Sequence, residues 1–248
     1  MMLRALQAEV LKLKGSRVPL WTGSVVLLAP LLTLAAVRGR PGGAALLGWT
    51  AFMRSGAQLI AGVYGVMLFG LVAAYLFGRE YVEGTAKEML TLPLTRESFI
   101  VAKMAVLAVW VLGLTLFSMV TQAGYAALAG ADGFSLGGLT SVLLDDLTVS
   151  LLVFATLPMV ALLAVAGRGY LAPMTYSAVM AAAGLGLAEA GWSRWFPWSM
   201  PMAVTGIALG PLLPMPGLVF ASWAIALGLF AGGLAALFWF VDRADSAQ

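Results

Sequence analysis

Residues 104–131 read MAVLAVWVLGLTLFSMVTQAGYAALAGA, an apolar stretch of 28 residues without a charged side chain. A helix needs about 20 such residues to cross the hydrocarbon core of a bilayer. The rest of the 248-residue chain has the same character, since 62% of its residues are hydrophobic and only 10% are charged. A soluble domain carries about a quarter charged residues. The sequence therefore predicts an integral membrane protein built from α-helices.

Uncharged stretches of similar length predict six membrane spans. These are 18–37, 55–78, 104–131, 147–167, 169–188 and about 218–241. The last uncharged run, 195–241, is too long for one crossing, but its first half holds five prolines, which prevent a regular helix. We therefore predict a broken or re-entrant outer segment over 195–217, followed by the sixth helix. Two crossings within this run, and seven spans in all, are the alternative.

The residues before the first span form a pattern of their own over 1–17. Leu3, Leu6, Val10 and Leu13 recur at intervals of three and four residues and share one helical face. The polar residues placed largely off that face are Arg4, Gln7, Glu9, Lys12 and Lys14. This pattern predicts a basic amphipathic helix in the inner membrane interface, and a short cytoplasmic tail is the alternative.

Basic residues set the predicted orientation. With the N-terminus inside, ten Lys and Arg residues fall on the inner side and four on the outer side, as is typical of membrane proteins. We therefore expect a multi-pass protein of the inner (plasma) membrane with both termini in the cytoplasm. The same bias accounts for the net charge of +3, so membrane lipid is an expected partner and nucleic acid is not.

Composition also limits the chemistry. The chain has no Cys and no His, so thiolate sites and the usual metal ligand and general base are absent. It has no G-x-x-x-x-G-K-[ST] phosphate-binding loop. We expect no enzyme activity, cofactor or metal in this chain.

Two acidic residues, Asp145 and Asp146, precede the fourth predicted span. Such a pair could bind a cation or relay a proton, but an edge position favours solvated ends or partners for Arg54 or Arg194. Ion-coupled carriers usually keep charges at the membrane midplane, and the predicted spans have none. This argues against a secondary transporter and is compatible with an amphiphilic or lipid-like cargo.

The predicted inner loop over 79–98 reads REYVEGTAKEMLTLPLTRES and holds four of the chain's 11 acidic residues. Glu83 and Lys87 are spaced as a helical pair. Pro93 breaks any helix, and Thr95 can cap the next one. We predict a short helix, a kink and a capped entry into the third span. A loop that is charged only to remain in water is the alternative.

The order of residues in this loop resembles the motif of ABC-2 type transporter permeases. In that family an E-x-x-x-G-T stretch leads to a leucine pair, a Pro and a Ser/Thr-Arg step before the third helix. The matching residues are Glu80, Gly84, Thr85, Met89, Leu90, Pro93, Thr95 and Arg96. Met89 replaces one leucine, which conserves volume. The run FPWSMP over 196–201 is similar to one in the bacteriocin- and lantibiotic-immunity branch.

This resemblance implies that residues 1–248 form one ABC-2 type transmembrane domain, the membrane subunit of an ABC exporter. It would dimerise with a second copy or with a sister permease. Two copies of a separate ATP-binding subunit would bind ATP and Mg and dock on the cytoplasmic loop. The residues that the resemblance assigns to this ATPase-coupling interface are Glu80, Glu83, Gly84, Thr85, Leu90, Pro93 and Arg96. A peptide, drug, lipid-like or other amphiphilic cargo is expected; an ATP-independent secondary transporter or channel is the alternative.

Overall fold

The computed structural model describes residues 2–39, 48–59, 64–85, 96–205 and 217–246. Within these ranges the chain forms helices, short turns and one isolated backbone pairing between Gly48 and Asp132. The helices are α1 (Met2–Lys14), α2 (Val18–Val26), α3 (Leu28–Gly39), α4 (Trp49–Leu59), α5 (Gly65–Val82), α6 (Arg96–Ala129), α7 (Leu136–Ala166), α8 (Leu171–Glu189), α9 (Met200–Thr205) and α10 (Phe220–Ser246). The all-α prediction is confirmed for the described chain.

Six segments of the described chain are long and apolar enough to cross a membrane, as predicted. They are Val18–Ala35, Gly65–Val82, Glu97–Ala129, Leu136–Ala166, Leu171–Glu189 and Phe220–Arg243. The longest helix, α6, has 34 residues and extends about 50 Å, well beyond a hydrocarbon core of about 30 Å. We call the end of the bundle where α5 ends and α6 begins the loop end, and the opposite end the far end.

The first two spans differ in detail from the uncharged stretches that predicted them. The first consists of α2 and α3, which meet at Leu27. The break has a simple cause, because the ring of Pro30 clashes with a helical carbonyl four residues earlier, at Val26, where α2 ends. The second predicted span began at Ser55. In the structure Ser55 belongs to α4, which begins at Trp49, while the spanning helix α5 begins at Gly65.

The core lies between α5, α6 and α7, with α10 packed along α7 and α8 along α5. Val72, Leu107 and Leu157 are completely buried there. The packing of α5 on α8 is close at Gly70, where an added Cβ would lie 2.3 Å from Ser177 Oγ. Small residues allow such backbone approach in membrane helices, which associate largely through van der Waals packing.

The N-terminal helix α1 packs on α6, and Leu6 and Leu13 contact the core. The helix is present as predicted, but one of its side chains was assigned to the wrong face. Glu9 follows Leu6 by three residues and precedes Leu13 by four, so it lies on their face and is buried. Leu11 is 67% exposed, which agrees with its position outside the apolar pattern.

The segment before α10 is irregular as far as it is described. Turns lead to the six-residue helix α9, and residues 206–216 of the predicted re-entrant segment lie outside the described residues. Trp198 packs beneath α8, where an added Cβ on Gly184 would lie 2.7 Å from the Trp198 carbonyl oxygen. The ring of Tyr176 meets the Trp198 ring edge to face.

Candidate functional site

Four charged side chains join three helices at the loop end. Lys103 of α6 is at the centre and is only 1% exposed. Its Nζ lies 2.6 Å from Glu80 Oε1 on α5 and 3.3 Å from Glu9 Oε2 on α1, and it also donates to the Leu76 carbonyl. Lys12 Nζ lies 2.8 Å from Glu9 Oε1 and 3.4 Å from Glu80 Oε1. We call Glu9, Lys12, Glu80 and Lys103 the Lys103 cluster.

The Lys103 cluster is electrically neutral, because it contains two carboxylates and two ammonium groups, and each carboxylate contacts both ammonium groups. Two aromatic rings cover it. The centroid of the Phe99 ring lies 4.7 Å from Lys103 Nζ and 5.8 Å from Lys12 Nζ, and that of Phe77 lies 5.7 Å from Lys103 Nζ. Ring faces attract cations and replace part of their hydration. A buried charge left without its partner is strongly destabilising, so the four side chains depend on one another.

A second set of contacts, formed by Arg79, attaches the end of α1 to α5. The Arg79 guanidinium donates to the Lys12 carbonyl at 3.2 Å and to the Tyr75 hydroxyl at 3.3 Å, and its Nε lies 3.1 Å from Glu83 Oε2. The Tyr75 hydroxyl in turn donates to Ser16 Oγ at 2.8 Å. Together with the Lys103 cluster, these bonds fix α1 and the turn after it to the loop end of α5.

The helix α5 ends because of its glycine at position 84. Val82 is the last helical residue, Glu83 is the C-cap, and Gly84 has φ +73°. A left-handed residue just past the C-cap is a common helix terminus, and glycine adopts it without a Cβ penalty. Nothing lies within 4 Å of an added Cβ on Gly84, so the conformation rather than the packing requires glycine.

The structure places four of the seven predicted coupling residues at this terminus of α5. Glu80 is 4% exposed, and its carboxylate is bound within the Lys103 cluster. Glu83 is exposed and paired with Arg79, while Gly84 is exposed and Thr85 is half-buried. Glu80 therefore faces the protein interior, and Glu83, Gly84 and Thr85 lie at the surface from which the loop leaves.

The other three predicted coupling residues are not described. Leu90 and Pro93 lie outside the described residues, as does the side chain of Arg96, the first residue of α6. Lys87 lies outside them too, but its predicted helical spacing with Glu83 is wrong, because Gly84 at φ +73° ends the helix between the two positions.

Glu9, Lys12 and Lys103 are site residues whose joint role the sequence analysis missed. Lys103 lies seven residues into α6, within an apolar stretch. A buried charge at such a position almost always has a partner, and this was the available signal. The partners themselves were not readable, because Glu9 is 94 residues away in the chain.

Asp145 and Asp146 have different surroundings. Asp145 Oδ2 lies 3.7 Å from a guanidinium nitrogen of Arg54, one of the two partners considered for this pair. Asp146 was predicted to be a solvated helix end, and this is wrong, because it is 3% exposed. The reason is that α7 begins at Leu136, ten residues earlier, so that Asp146 lies well inside the helix. No group of three or more acidic residues in the described chain is placed to hold a metal ion.

Comparison with known proteins identifies the family. The family model described as ABC-2 family transporter protein matches residues 5–184, which include most of α1, the loop and both carboxylates of the Lys103 cluster. The chain belongs to the ABC-2 transporter family. This permease is 30% identical over 183 residues to the bacitracin transport permease protein of Bacillus licheniformis, a match that covers 73% of this chain and 85% of that protein. No solved structure matches the permease.

Membership confirms the resemblance seen in the loop. The permease is a multi-pass transmembrane subunit of an ABC transporter, and its family implies an ATP-binding partner. Permeases of this family are generally non-catalytic.

Proposed function

We propose that this permease is the membrane subunit of an ATP-driven exporter. It moves an amphiphilic, peptide, drug or lipid-like cargo out across the inner (plasma) membrane, with both of its termini in the cytoplasm. Two permease copies, most simply identical, assemble with two ATP-binding subunits, which hold the ATP and Mg. The Bacillus relative is named for bacitracin transport, which supports bacitracin and compounds like it as the first cargoes to test.

The observation that carries this proposal is the Lys103 cluster beside the predicted coupling loop. The loop follows α5, which ends at Val82, and precedes α6, which begins at Arg96. Glu80 precedes the end of α5 by two residues, and Lys103 follows the start of α6 by seven. Their contact at 2.6 Å therefore joins the two helices on which the loop is mounted. Glu9 and Lys12 extend the same contact to α1.

An ATP-driven permease needs helices that are held together beside the loop on which the ATP-binding subunit acts. Binding of ATP to a partner can shift the permease between conformations only through contacts that differ between them. A force applied to the loop reaches α5, α6 and α1 together, because buried ion pairs resist being separated. The three helices then move as one body, and the loop does not bend by itself.

The proposed roles of Glu83, Gly84 and Thr85 follow from their position at the surface at the end of α5, where they would contact the ATP-binding subunit. The family resemblance assigns Leu90, Pro93 and Arg96 to the same contact. Glu80 was assigned to this contact by the family resemblance. Its carboxylate is buried against Lys103, so we assign it instead to positioning the end of α5.

Native mass spectrometry of the permease extracted gently from its own host membrane tests the assembly. We expect two copies of this chain with two copies of a soluble ATP-binding subunit. A chain recovered alone, or only with itself, that transports cargo without ATP would contradict the proposal and favour a secondary transporter or channel.

Photo-crosslinking tests the docking surface. A photoreactive amino acid at Glu83 should capture the ATP-binding subunit. The matched control is Phe134, which is also exposed but lies at the far end. Capture of the ATP-binding subunit from both positions, or from neither, would contradict the proposed docking at the loop end.

A further inference from the structure

Asp146 of α7 and Gln122 of α6 are buried polar side chains with unused acceptor atoms. Asp146 is 3% exposed and Gln122 is fully buried. In the described part of the chain, neither carboxylate oxygen of Asp146 has a hydrogen-bond partner, nor does Gln122 Oε1. Buried polar atoms are nearly always hydrogen-bonded in native proteins, so each exception needs an explanation.

Both side chains lie in the seam between these two helices, less than one helical turn apart along its length. The helices α6 and α7 are antiparallel, and their register is fixed by a 2.6 Å hydrogen bond between Thr115 Oγ1 and Ser150 Oγ. One turn from this bond along α6 lies Ser118, whose hydroxyl accepts from Gln122 Nε2 at 2.9 Å. Asp146 lies one turn before Ser150 on α7, and because the helices are antiparallel this is the same direction along the seam.

The third wall of this seam is α4, which packs on both helices. An added Cβ on Gly56 would lie 2.2 Å from Gln122 Oε1, so the Gln122 amide oxygen lies against the α4 backbone.

Among the residues that the structure describes, the charged groups on the helices around Asp146 provide it with no counter-ion. On α4, Arg54 lies 3.7 Å from Asp145 and donates to Ser141 at 2.9 Å. Beyond Lys103, α6 carries no charged residue, and α9 carries none at all. The remaining charged residues on helices that contact α7 lie at helix ends: Arg79 and Glu80 on α5, Glu189 on α8, and Asp242, Arg243 and Asp245 on α10.

We propose that Asp146 and Gln122 form a binding site for a small monovalent cation, either a proton or an alkali-metal ion. A carboxylate in an apolar interior is very costly unless its charge is compensated. Every unused atom here is an oxygen acceptor, which suits a hard cation or a proton and offers nothing to an anion. The site requires no contact with an ATP-binding subunit, so it goes beyond the proposed exporter function and is tested separately.

The test is thermal unfolding of the full-length permease in lipid nanodiscs. Sodium is titrated against choline at constant ionic strength and pH, and pH is then varied at constant salt. A ligand that binds only the folded state raises the unfolding midpoint as its concentration rises. We expect a rise of several degrees with one of the two cations. The rise should vanish in Asp146→Asn and persist in Asp145→Asn, the matched control.

The two titrations distinguish the two cations. A midpoint that rises with sodium assigns an alkali ion. A midpoint that rises with acidity assigns a proton, because a folded state that binds more protons than the unfolded state loses stability as pH increases. A wild-type midpoint that follows neither variable, or an Asp146→Asn midpoint that follows the same variable as the wild type, overturns the proposal.

Gln122→Leu keeps the proposal testable if Asp146→Asn does not fold. Removing the amide oxygen should weaken the apparent cation affinity about tenfold and shift the titration accordingly. An unchanged titration in Gln122→Leu would also overturn the proposed site.

Discussion

Lys103 and Glu80 are 23 residues apart in the chain, yet their side chains form a 2.6 Å ion pair in the protein interior. The pair joins the helix before the proposed coupling loop to the helix after it. Since Glu9 and Lys12 complete the cluster, α1 belongs to the same unit. The helix α1, which the sequence predicts to lie in the membrane interface, is therefore part of the structure that holds the loop in place.

Lys103→Met should destabilise the permease by about 3 to 5 kcal/mol, because it leaves two buried carboxylates with Lys12 as their only cation. Thermal unfolding in nanodiscs measures the effect. Arg38→Met, at an exposed position on α3, is the control and should change the midpoint little. Equal shifts of the unfolding midpoint in the two variants would show that the buried cluster contributes no more to stability than an exposed arginine does.

Adding Glu80→Gln to Lys103→Met should restore part of the lost stability. The double substitution leaves Glu9 and Lys12 as a balanced pair at 2.8 Å. A double-mutant cycle should give a coupling energy of about 0.5 to 3 kcal/mol. Strictly additive effects would mean that the two side chains act independently, against the geometry.

Gly84→Leu combined with Glu83→Lys should uncouple ATP hydrolysis from transport and leave membrane insertion intact. Leucine at φ +73° carries a cost of about 1 to 2 kcal/mol, and the lysine replaces the partner of Arg79 with a like charge. Transport and ATPase rates are measured on the reconstituted complex.

The control for that variant is Gly133→Leu. Gly133 has φ +80° and, like Gly84, has nothing within 4 Å of an added Cβ, but it lies at the far end. It carries the same conformational cost away from the loop, so its coupling ratio should stay that of the wild type. Unchanged transport in the Glu83–Gly84 variant would contradict a role of the loop end in coupling ATP hydrolysis to transport.

A crosslink between α1 and α5 should be compatible with transport. The chain contains no Cys, so Ser16→Cys and Tyr75→Cys introduce two unique thiols at positions whose native side chains are hydrogen-bonded at 2.8 Å. A short bismaleimide joins them. We expect transport of the doubly substituted complex to be the same before and after crosslinking; its loss on crosslinking would show that α1 slides along α5 during the cycle.

Gly70→Val should destabilise the contact between α5 and α8 by about 1 to 3 kcal/mol, because the new Cβ would lie 2.3 Å from Ser177 Oγ. Gly113→Val on α6 is a matched control, since an added Cβ there meets nothing within 4 Å. The measurement is the unfolding midpoint of each variant. Equal midpoints would contradict the close approach of α5 and α8 at Gly70.

The spans were predictable because a bilayer imposes length and apolarity on each helix separately. The residues at which each helix begins and ends were harder to predict, and Asp146 illustrates the reason. The fourth span was taken to begin after the last charge, at position 147, and this rule placed Asp146 outside by definition. The helix begins at Leu136, so a charge that helix packing buries was read as one that water surrounds.

The candidate site shows the same contrast between residues that a local motif predicts and residues that helix packing brings together. Glu83, Gly84 and Thr85 belong to a local motif, and Gly84 ends α5 as its residue type suggests. The Lys103 cluster depends on contacts between residues far apart in the chain. Glu9 shows that residue type can mislead where spacing does not. Its charge suggested the polar face, but its position three residues after Leu6 set it on the buried one.

The neutrality of the Lys103 cluster has a consequence for the evolution of this gene. A single substitution that removes one charge at position 9, 12, 80 or 103 leaves an opposite charge stranded, so most such mutants would be lost before a compensating change arises. The four codons are expected to change in concert, by paired loss or paired reversal of sign. Related genes should therefore differ at all or several of these positions together far more often than at one of them.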